Sequence, residues 1–173
     1  AHKGVDSQET NNLRLHVMRN LSATPEFNYY YFMAAQKLVS HLCGNELAMQ
    51  KRIGLSVNFP DNEGDVLSVH ADTWQGVSPY ELNIWIPMVD CTKTMCLYIL
   101  PRSKYQEMLK DNEGILSLST DDLYKKLEPD LEWIEIKYGE VLAFDQSLPH
   151  GYTLNVEPRT HWSLNCRFCL LYT

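Results

Sequence analysis

Between positions 25 and 42 the apolar residues Phe27, Tyr30, Tyr31, Ala34, Ala35, Leu38, Val39 and Leu42 return every three or four places. This spacing predicts an amphipathic helix with Pro25 near its first turn and Gly44 just past its end. His41 falls in its last turn, where a cation suits the helix dipole and needs no functional reading. From Arg52 the period shortens to two, or collapses into brief apolar runs between turn residues, which predicts strands. Residues 53–59, 66–70, 82–89 and 95–100 form the first four, and Pro60-Asp61-Asn62-Glu63-Gly64 turns between the first two. From Pro101 to Pro129 the pattern loosens into short helical pieces at 103–110 and 120–127, the second opened by the cap Thr120-Asp121-Asp122. That insertion reads as a lid or flank. Residues 131–137, 141–144, 152–156 and 162–171 then supply four more strands.

Eight strands behind one helix predict a mainly β protein with flanking helices, a double-stranded β-helix of the jelly-roll, cupin-like type. One domain is expected over 1–173: helical support in 1–50, then a β-barrel core in 51–173 with a helical insertion at about 102–130. The first twelve residues are polar and read as a frayed terminus.

Composition narrows the function. A net charge of −7 disfavours nucleic acid and anionic membrane surfaces, both of which select basic faces. The expected partner is therefore a small soluble molecule, with self-association left open. The five cysteines are odd in number and lack framework spacing, and neither a secretory signal nor an apolar span of about 18 residues is seen. A reducing cytoplasm is expected. Cys166 and Cys169 are three apart, hence on opposite faces of a strand, which argues against a shared zinc.

The candidate chemistry lies in Ser68-Val69-His70-Ala71-Asp72-Thr73-Trp74 and Leu148-Pro149-His150-Gly151-Tyr152. On a continuous strand, residues two apart share a face, so His70 and Asp72 would stand side by side. A lone His-x-Asp is weak, because such pairs are commonly packed or exposed without any ligand. Here a predicted strand leads into His70 and another leads toward His150, which puts both imidazoles at strand ends, where a barrel mouth places ligands. His150 would then complete a two-histidine, one-carboxylate triad, which suits non-haem Fe(II) and leaves three positions open.

The blocks His70-Ala71-Asp72-Thr73-Trp74, Ser78-Pro79-Tyr80-Glu81, Trp85-Ile86-Pro87-Met88-Val89-Asp90, Tyr98-Ile99-Leu100-Pro101, Pro149-His150-Gly151 and Trp162-Ser163-Leu164-Asn165-Cys166-Arg167-Phe168 carry a resemblance. In their order, the chain resembles Fe(II)/2-oxoglutarate oxygenases of the phytanoyl-CoA dioxygenase-like superfamily, especially members from sugar and aminoglycoside biosynthesis clusters. The resemblance implies Fe(II) on His70, Asp72 and His150, with Gly151 allowing close backbone approach. It also implies 2-oxoglutarate as cosubstrate and O₂ as co-reactant, with succinate and CO₂ formed as the substrate is oxidised. Halogenases of the family leave the carboxylate position empty; Asp72 fills it, so hydroxylation is the implied reaction.

One position departs from the family. Where it holds the far carboxylate of 2-oxoglutarate with Arg and then Ser or Thr two residues on, this chain has His161 and Ser163. A guanidinium offers a fixed charged fork, whereas a histidine is only partly charged near neutral pH. Arg159 and Arg167 share parity with those positions on a continuous strand, and either could supply the cation. Tyr98, Asn83 and Asn58 are polar groups within apolar strands and are further candidate contacts, although another protein group is the commoner partner. Trp74, Trp85 and Trp162 could stack on a ring substrate or simply fill the core. The expected function is an Fe(II)/2-oxoglutarate-dependent dioxygenase acting on a small polar metabolite, a sugar or sugar derivative in the family's pattern. The alternatives are a cupin-like metal- or sugar-binding barrel without oxygenase activity, and a non-oxidative metal-dependent isomerase or hydrolase.

Overall fold

The computed structural model describes residues 7–110 and 118–171. Helix α1 spans Ser7–Ala23 and α2 spans Phe27–Cys43. The frayed terminus is thus a helix from Ser7 onward, while residues 1–6 lie outside the described residues. Its signal is a thin stripe: Leu13, Val17 and Leu21, four residues apart, pack with Met18 on the sheet below. The polar remainder of the helix hides that stripe.

Helix α2 starts later than expected, with Pro25 ahead of its N-cap Glu26. Tyr31, Ala35 and Val39, again four apart, are its buried line. Gly44, at φ 80°, ends it and donates its N–H to the Ser40 carbonyl at 3.0 Å, in the left-handed region that glycine enters without steric penalty. Buried Tyr31 donates its hydroxyl to the Ile84 carbonyl at 2.6 Å, tying the helix to the sheet.

Nine strands are present among the described residues: β1 Leu47–Met49, β2 Gly54–Asn58, β3 Leu67–His70, β4 Leu82–Pro87, β5 Leu97–Ile99, β6 Glu132–Ile134, β7 Leu142–Asp145, β8 His150–Tyr152 and β9 His161–Leu170. Strand β1 was not expected; three residues are too few to show a period. One sheet runs β1-β9-β4-β7, with β2 also on β9, and the other runs β3-β8-β5-β6. All pairings are antiparallel. Together the two sheets make the expected jelly-roll barrel.

Alternation along the strands sorts three cores. Leu164, Cys166 and Phe168 of β9 and Ile84 of β4 face the two helices. Trp85, Phe144, Leu97, Ile99 and Tyr152 meet between the sheets. Val69, Tyr98 and Leu100 face outward beneath α4, Thr120–Leu127, which contributes Leu123 and Leu127. With α3, Arg102–Lys110, the expected insertion is therefore a flank on the second sheet. Residues 111–117 lie outside the described part of that insertion.

Candidate metal centre

His70 ends β3 and stands in register with His150, the first residue of β8. The two rings lie 4.4 Å apart between centroids. Each imidazole is fixed in the same way: His70 Nδ1 lies 2.9 Å from the Ser68 carbonyl, and His150 Nδ1 lies 2.8 Å from the Leu148 carbonyl. A carbonyl oxygen only accepts, so Nδ1 carries the proton on both rings. That assignment leaves both Nε2 atoms with a free lone pair, the state required of a metal ligand.

Asp72 does not continue β3, as strand parity had led us to expect. It opens a short 3-10 turn, Asp72–Gln75, closed by Gly76 at φ 85°. The turn reaches the same result by another route. Asp72 N–H donates to the Gln146 carbonyl at 3.0 Å, and Asp72 Oδ1 comes to 3.6 Å from His70 Nε2. One potential ligand atom from each of His70, Asp72 and His150 lies within 4.8 Å of the other two. Ligands about 2.1 Å from one ion stand roughly 3 to 4 Å apart, so small side-chain rotations close this cluster around a cation.

The other carboxylate oxygen is already taken. Arg167 donates to Asp72 Oδ2 from Nε at 3.2 Å and from a terminal guanidinium nitrogen at 2.8 Å. Burial pushes the Asp72 carboxyl up, but His70, Arg167 and the charge at His150 outweigh it and hold its pKa at about 2. Burial also pulls His70 down, yet Asp72 and the Ser68 carbonyl reverse this and raise its pKa. His150 is dominated by burial, with repulsion from His70 added, and falls to about 4. The site pairs a fixed anion with two imidazoles, one of them held neutral.

The remaining candidates separate. Asn83 faces the barrel interior opposite Arg167 in the β4–β9 register, buried and with no partner for Oδ1 among the described residues. Tyr98 does not face the interior. It lies on the outer side of the second sheet, its ring 5.5 Å from Tyr124 and 5.6 Å from Trp133, and its hydroxyl donates to the Leu67 carbonyl at 3.4 Å. In β5 its neighbours Leu97 and Ile99 take the inner face, so the one-residue alternation excludes Tyr98 from the centre. Gly151 is needed there, because a Cβ would strike the Tyr98 hydroxyl and the Leu67 carbonyl. Trp85 is core and Trp162 packs on the helix side, whereas Trp74, 45% exposed, follows Asp72 in its turn.

His161 and Ser163 lie on the interior face of β9, completely buried, with His161 Nε2 2.9 Å from Ser163 Oγ. Arg159 lies in the loop before β9, exposed, and Arg167 is on Asp72. Neither arginine gives His161 a cationic neighbour: the first is held out in solvent and the second is spent on an anion. Sequence inspection missed Gln146, fully buried, whose carbonyl positions Asp72 and whose Nε2 donates to Ser78 O at 2.7 Å. It also missed the Ser68 and Leu148 carbonyls, which a recurrent offset of two residues from each histidine would have flagged.

No family model and no curated protein matches the chain. Solved structures do match. HygX from Streptomyces hygroscopicus, with nickel and 2-oxoglutarate bound, superposes with a TM-score of 0.64 at 13% identity over 96% of this chain and 80% of its own. EvdMO1 gives 0.57 at 19% identity over 88% of this chain, which spans only 32% of EvdMO1. SnoN, a non-haem alpha-ketoglutarate-dependent epimerase from nogalamycin biosynthesis, gives 0.55 at 18% over 88% of this chain and 57% of its own. At these identities the likeness establishes a shared fold, the jelly-roll barrel that these structures have in common with the chain.

Proposed function

We propose that the chain is a mononuclear non-haem Fe(II) oxygenase that uses 2-oxoglutarate and O₂ to hydroxylate or otherwise oxidise a small polar metabolite, a sugar or sugar-derived compound. The observation that carries this reading is the pair of imidazoles whose Nδ1 protons are tied to backbone carbonyls, with His70 Nε2 3.6 Å from Asp72 and a ligand atom of each of His70, Asp72 and His150 within 4.8 Å of the others. HygX, described with iron and with nickel plus 2-oxoglutarate, supports the choice of metal and cosubstrate. ThoJ, a non-haem monooxygenase in complex with nickel, and SnoN support oxidative chemistry on this fold.

The residues present fit iron. His70, Asp72 and His150 would hold it, leaving three positions for exchangeable ligands. Bound there, iron with its 2-oxo acid and O₂ would supply the oxidant that cleaves a substrate C–H bond. The protein's own part is orientation. The Ser68 and Leu148 carbonyls set the tautomers, and Arg167 occupies Oδ2 so that Oδ1 remains for the metal. Phe144, edge-on to His150 at 5.0 Å, shields that ring from water. Asn83 presents an interior amide to an incoming ligand, and Trp74 an exposed indole beside the carboxylate. No helix among the described residues is long and apolar enough to cross a membrane. All five cysteines are free, the state that a reducing compartment maintains.

One observation favours a second reading, a metal-binding barrel without oxygenase chemistry: the interior around His161 is closed and uncharged. Anaerobic Fe(II) titration with and without 2-oxoglutarate, followed by admission of O₂, separates the two. The oxygenase reading expects one equivalent of iron, a weak visible metal-to-ligand band on adding the oxo acid, and succinate after O₂. Iron binding without band or succinate would favour the second reading; absence of iron binding would sink both.

A further inference from the structure

Tyr152 stands two residues beyond His150 on the same face of β8 and, with Phe144 and Trp85, joins the interior of the metal site to His161, so the wall around His161 is what the tail of a 2-oxo acid chelated at the triad would meet. His161 is completely buried, and the Trp85 and Tyr152 rings stand edge-on to it at 5.8 and 5.0 Å. Trp85 donates its indole N–H to the Tyr152 hydroxyl at 2.6 Å, and that hydroxyl is hydrogen-bonded in turn to Ser163. Ser163 closes the chain on His161 Nε2. Asn58 stands opposite His161 in the β2–β9 register. Asn58 Oδ1 and His161 Nδ1 make no hydrogen bond of ordinary geometry among the described residues.

Every group in this wall is neutral. Burial drives the His161 pKa down to about 4, opposed by the Met95 backbone, so the ring is held neutral at pH 7. Arg167, the cation on the same strand face, is committed to Asp72. A carboxylate brought against this wall would lose its hydration without gaining a charged partner, an uncompensated cost in a dry interior. An uncharged tail would instead meet aromatic edges and satisfied hydroxyls. The chelating end of the acid is indifferent to this difference, because the metal holds it.

We infer that the metal site takes a 2-oxo acid by its chelating end and that this neutral wall favours an uncharged tail, so that a monocarboxylic 2-oxo acid binds at least as tightly as 2-oxoglutarate. This inference rests on the oxygenase reading of the metal site. The matched probes are 2-oxoglutarate and 2-oxopentanoate, which share a five-carbon chain and differ in the far carboxylate. Each is titrated anaerobically into the Fe(II)-loaded chain, with the metal-to-ligand band and calorimetric Kd as readouts. The expected Kd for 2-oxopentanoate is equal to or below that for 2-oxoglutarate. His161→Arg, which places a guanidinium in the wall, should swing the ratio by about tenfold or more towards 2-oxoglutarate.

Binding of 2-oxoglutarate tenfold tighter than 2-oxopentanoate in the parent protein overturns the inference, and this comparison stands even if the variant fails to fold. A folded variant with an unchanged ratio also overturns it, since His161 then does not face the tail. If iron binds but neither acid does, both the inference and the 2-oxo acid part of the proposed function fall, leaving the metal site. If 2-oxoglutarate binds and wins, the inference alone fails and the proposed function stands.

Discussion

His150 and His161 are buried in the same barrel and both are held near pKa 4, yet they have opposite surroundings. His150 gives its Nδ1 proton to the Leu148 carbonyl, keeps Nε2 free, and lies within 4.8 Å of ligand atoms of a second imidazole and a carboxylate. His161 spends Nε2 on Ser163, has no hydrogen bond of ordinary geometry at Nδ1 among the described residues, and packs against the neutral rings of Trp85 and Tyr152. Burial alone therefore does not distinguish a ligand from a core residue. The distinction lies in which nitrogen the backbone occupies and whether an anion faces the other.

The largest test of this contrast removes the anion. Asp72→Ala should reduce Fe(II) or Ni(II) affinity by more than about a hundredfold, beyond the 10- to 100-fold typical of losing an outer partner, and should abolish succinate formation. Calorimetry beside a thermal melt checks it. Metal affinity within a few-fold of the parent would reduce His70 and His150 to a packed pair.

That contrast was half legible in the sequence. His70 and His150 stood out because each sits at a strand end, a position that the two-residue period locates well, and Asp72 because it stands two residues past His70. The means of bringing Asp72 round did not, because a 3-10 turn closed by Gly76 has no periodicity to read. Parity placed Arg167 on the interior face of β9 but could not say which anion it would find. Tyr98 was misread because β5 has only three residues, all buried, and a strand covered on both faces shows no polar alternation. Helix α1 escaped because its apolar stripe is narrow, and burying it needs a sheet that the local sequence does not announce.

An intermediate test asks whether Arg167 is part of the centre or an ordinary ion pair. Arg167→Gln removes both donors to Asp72 Oδ2, freeing the carboxylate to turn. Metal affinity should fall about 10- to 100-fold, and Arg167→Lys should restore part of it. A Ni(II) or Co(II) absorption spectrum reports the altered geometry, which a loss of fold stability alone would not move. Unchanged affinity and spectrum in the glutamine variant would confine Arg167 to the surface.

Acid should expose the His161 side of the comparison. Its pKa is depressed on folding, so the unfolded chain takes up the proton first and stability falls as pH drops. The penalty is absent above about pH 6.5, grows below it, and levels off below about pH 4. Between pH 7 and pH 5 it should amount to roughly 2 kcal/mol, a few degrees in Tm for a chain of this length. His161→Gln should lose this component of the pH dependence in metal-free protein while keeping that of His150. Identical pH profiles for parent and variant would mean that His161 is hydrated or charged in solution.

The smallest expected effect concerns Tyr98, and its smallness is the point. The ring lies under α4 on the far side of the second sheet, and its hydroxyl makes a single long bond to the Leu67 carbonyl at 3.4 Å. Tyr98→Phe keeps the ring contacts with Tyr124 and Trp133 and removes only that oxygen. A hydrogen bond of this length contributes no more than about 1 kcal/mol, so the melting temperature should shift by at most a few degrees. Fe(II) affinity and the metal-to-ligand band with 2-oxoglutarate should not change, because the sheet itself separates this hydroxyl from the triad. A tenfold loss of oxo-acid affinity in Tyr98→Phe, with stability preserved, would put the hydroxyl inside the barrel and reverse the assignment of the two faces of β5.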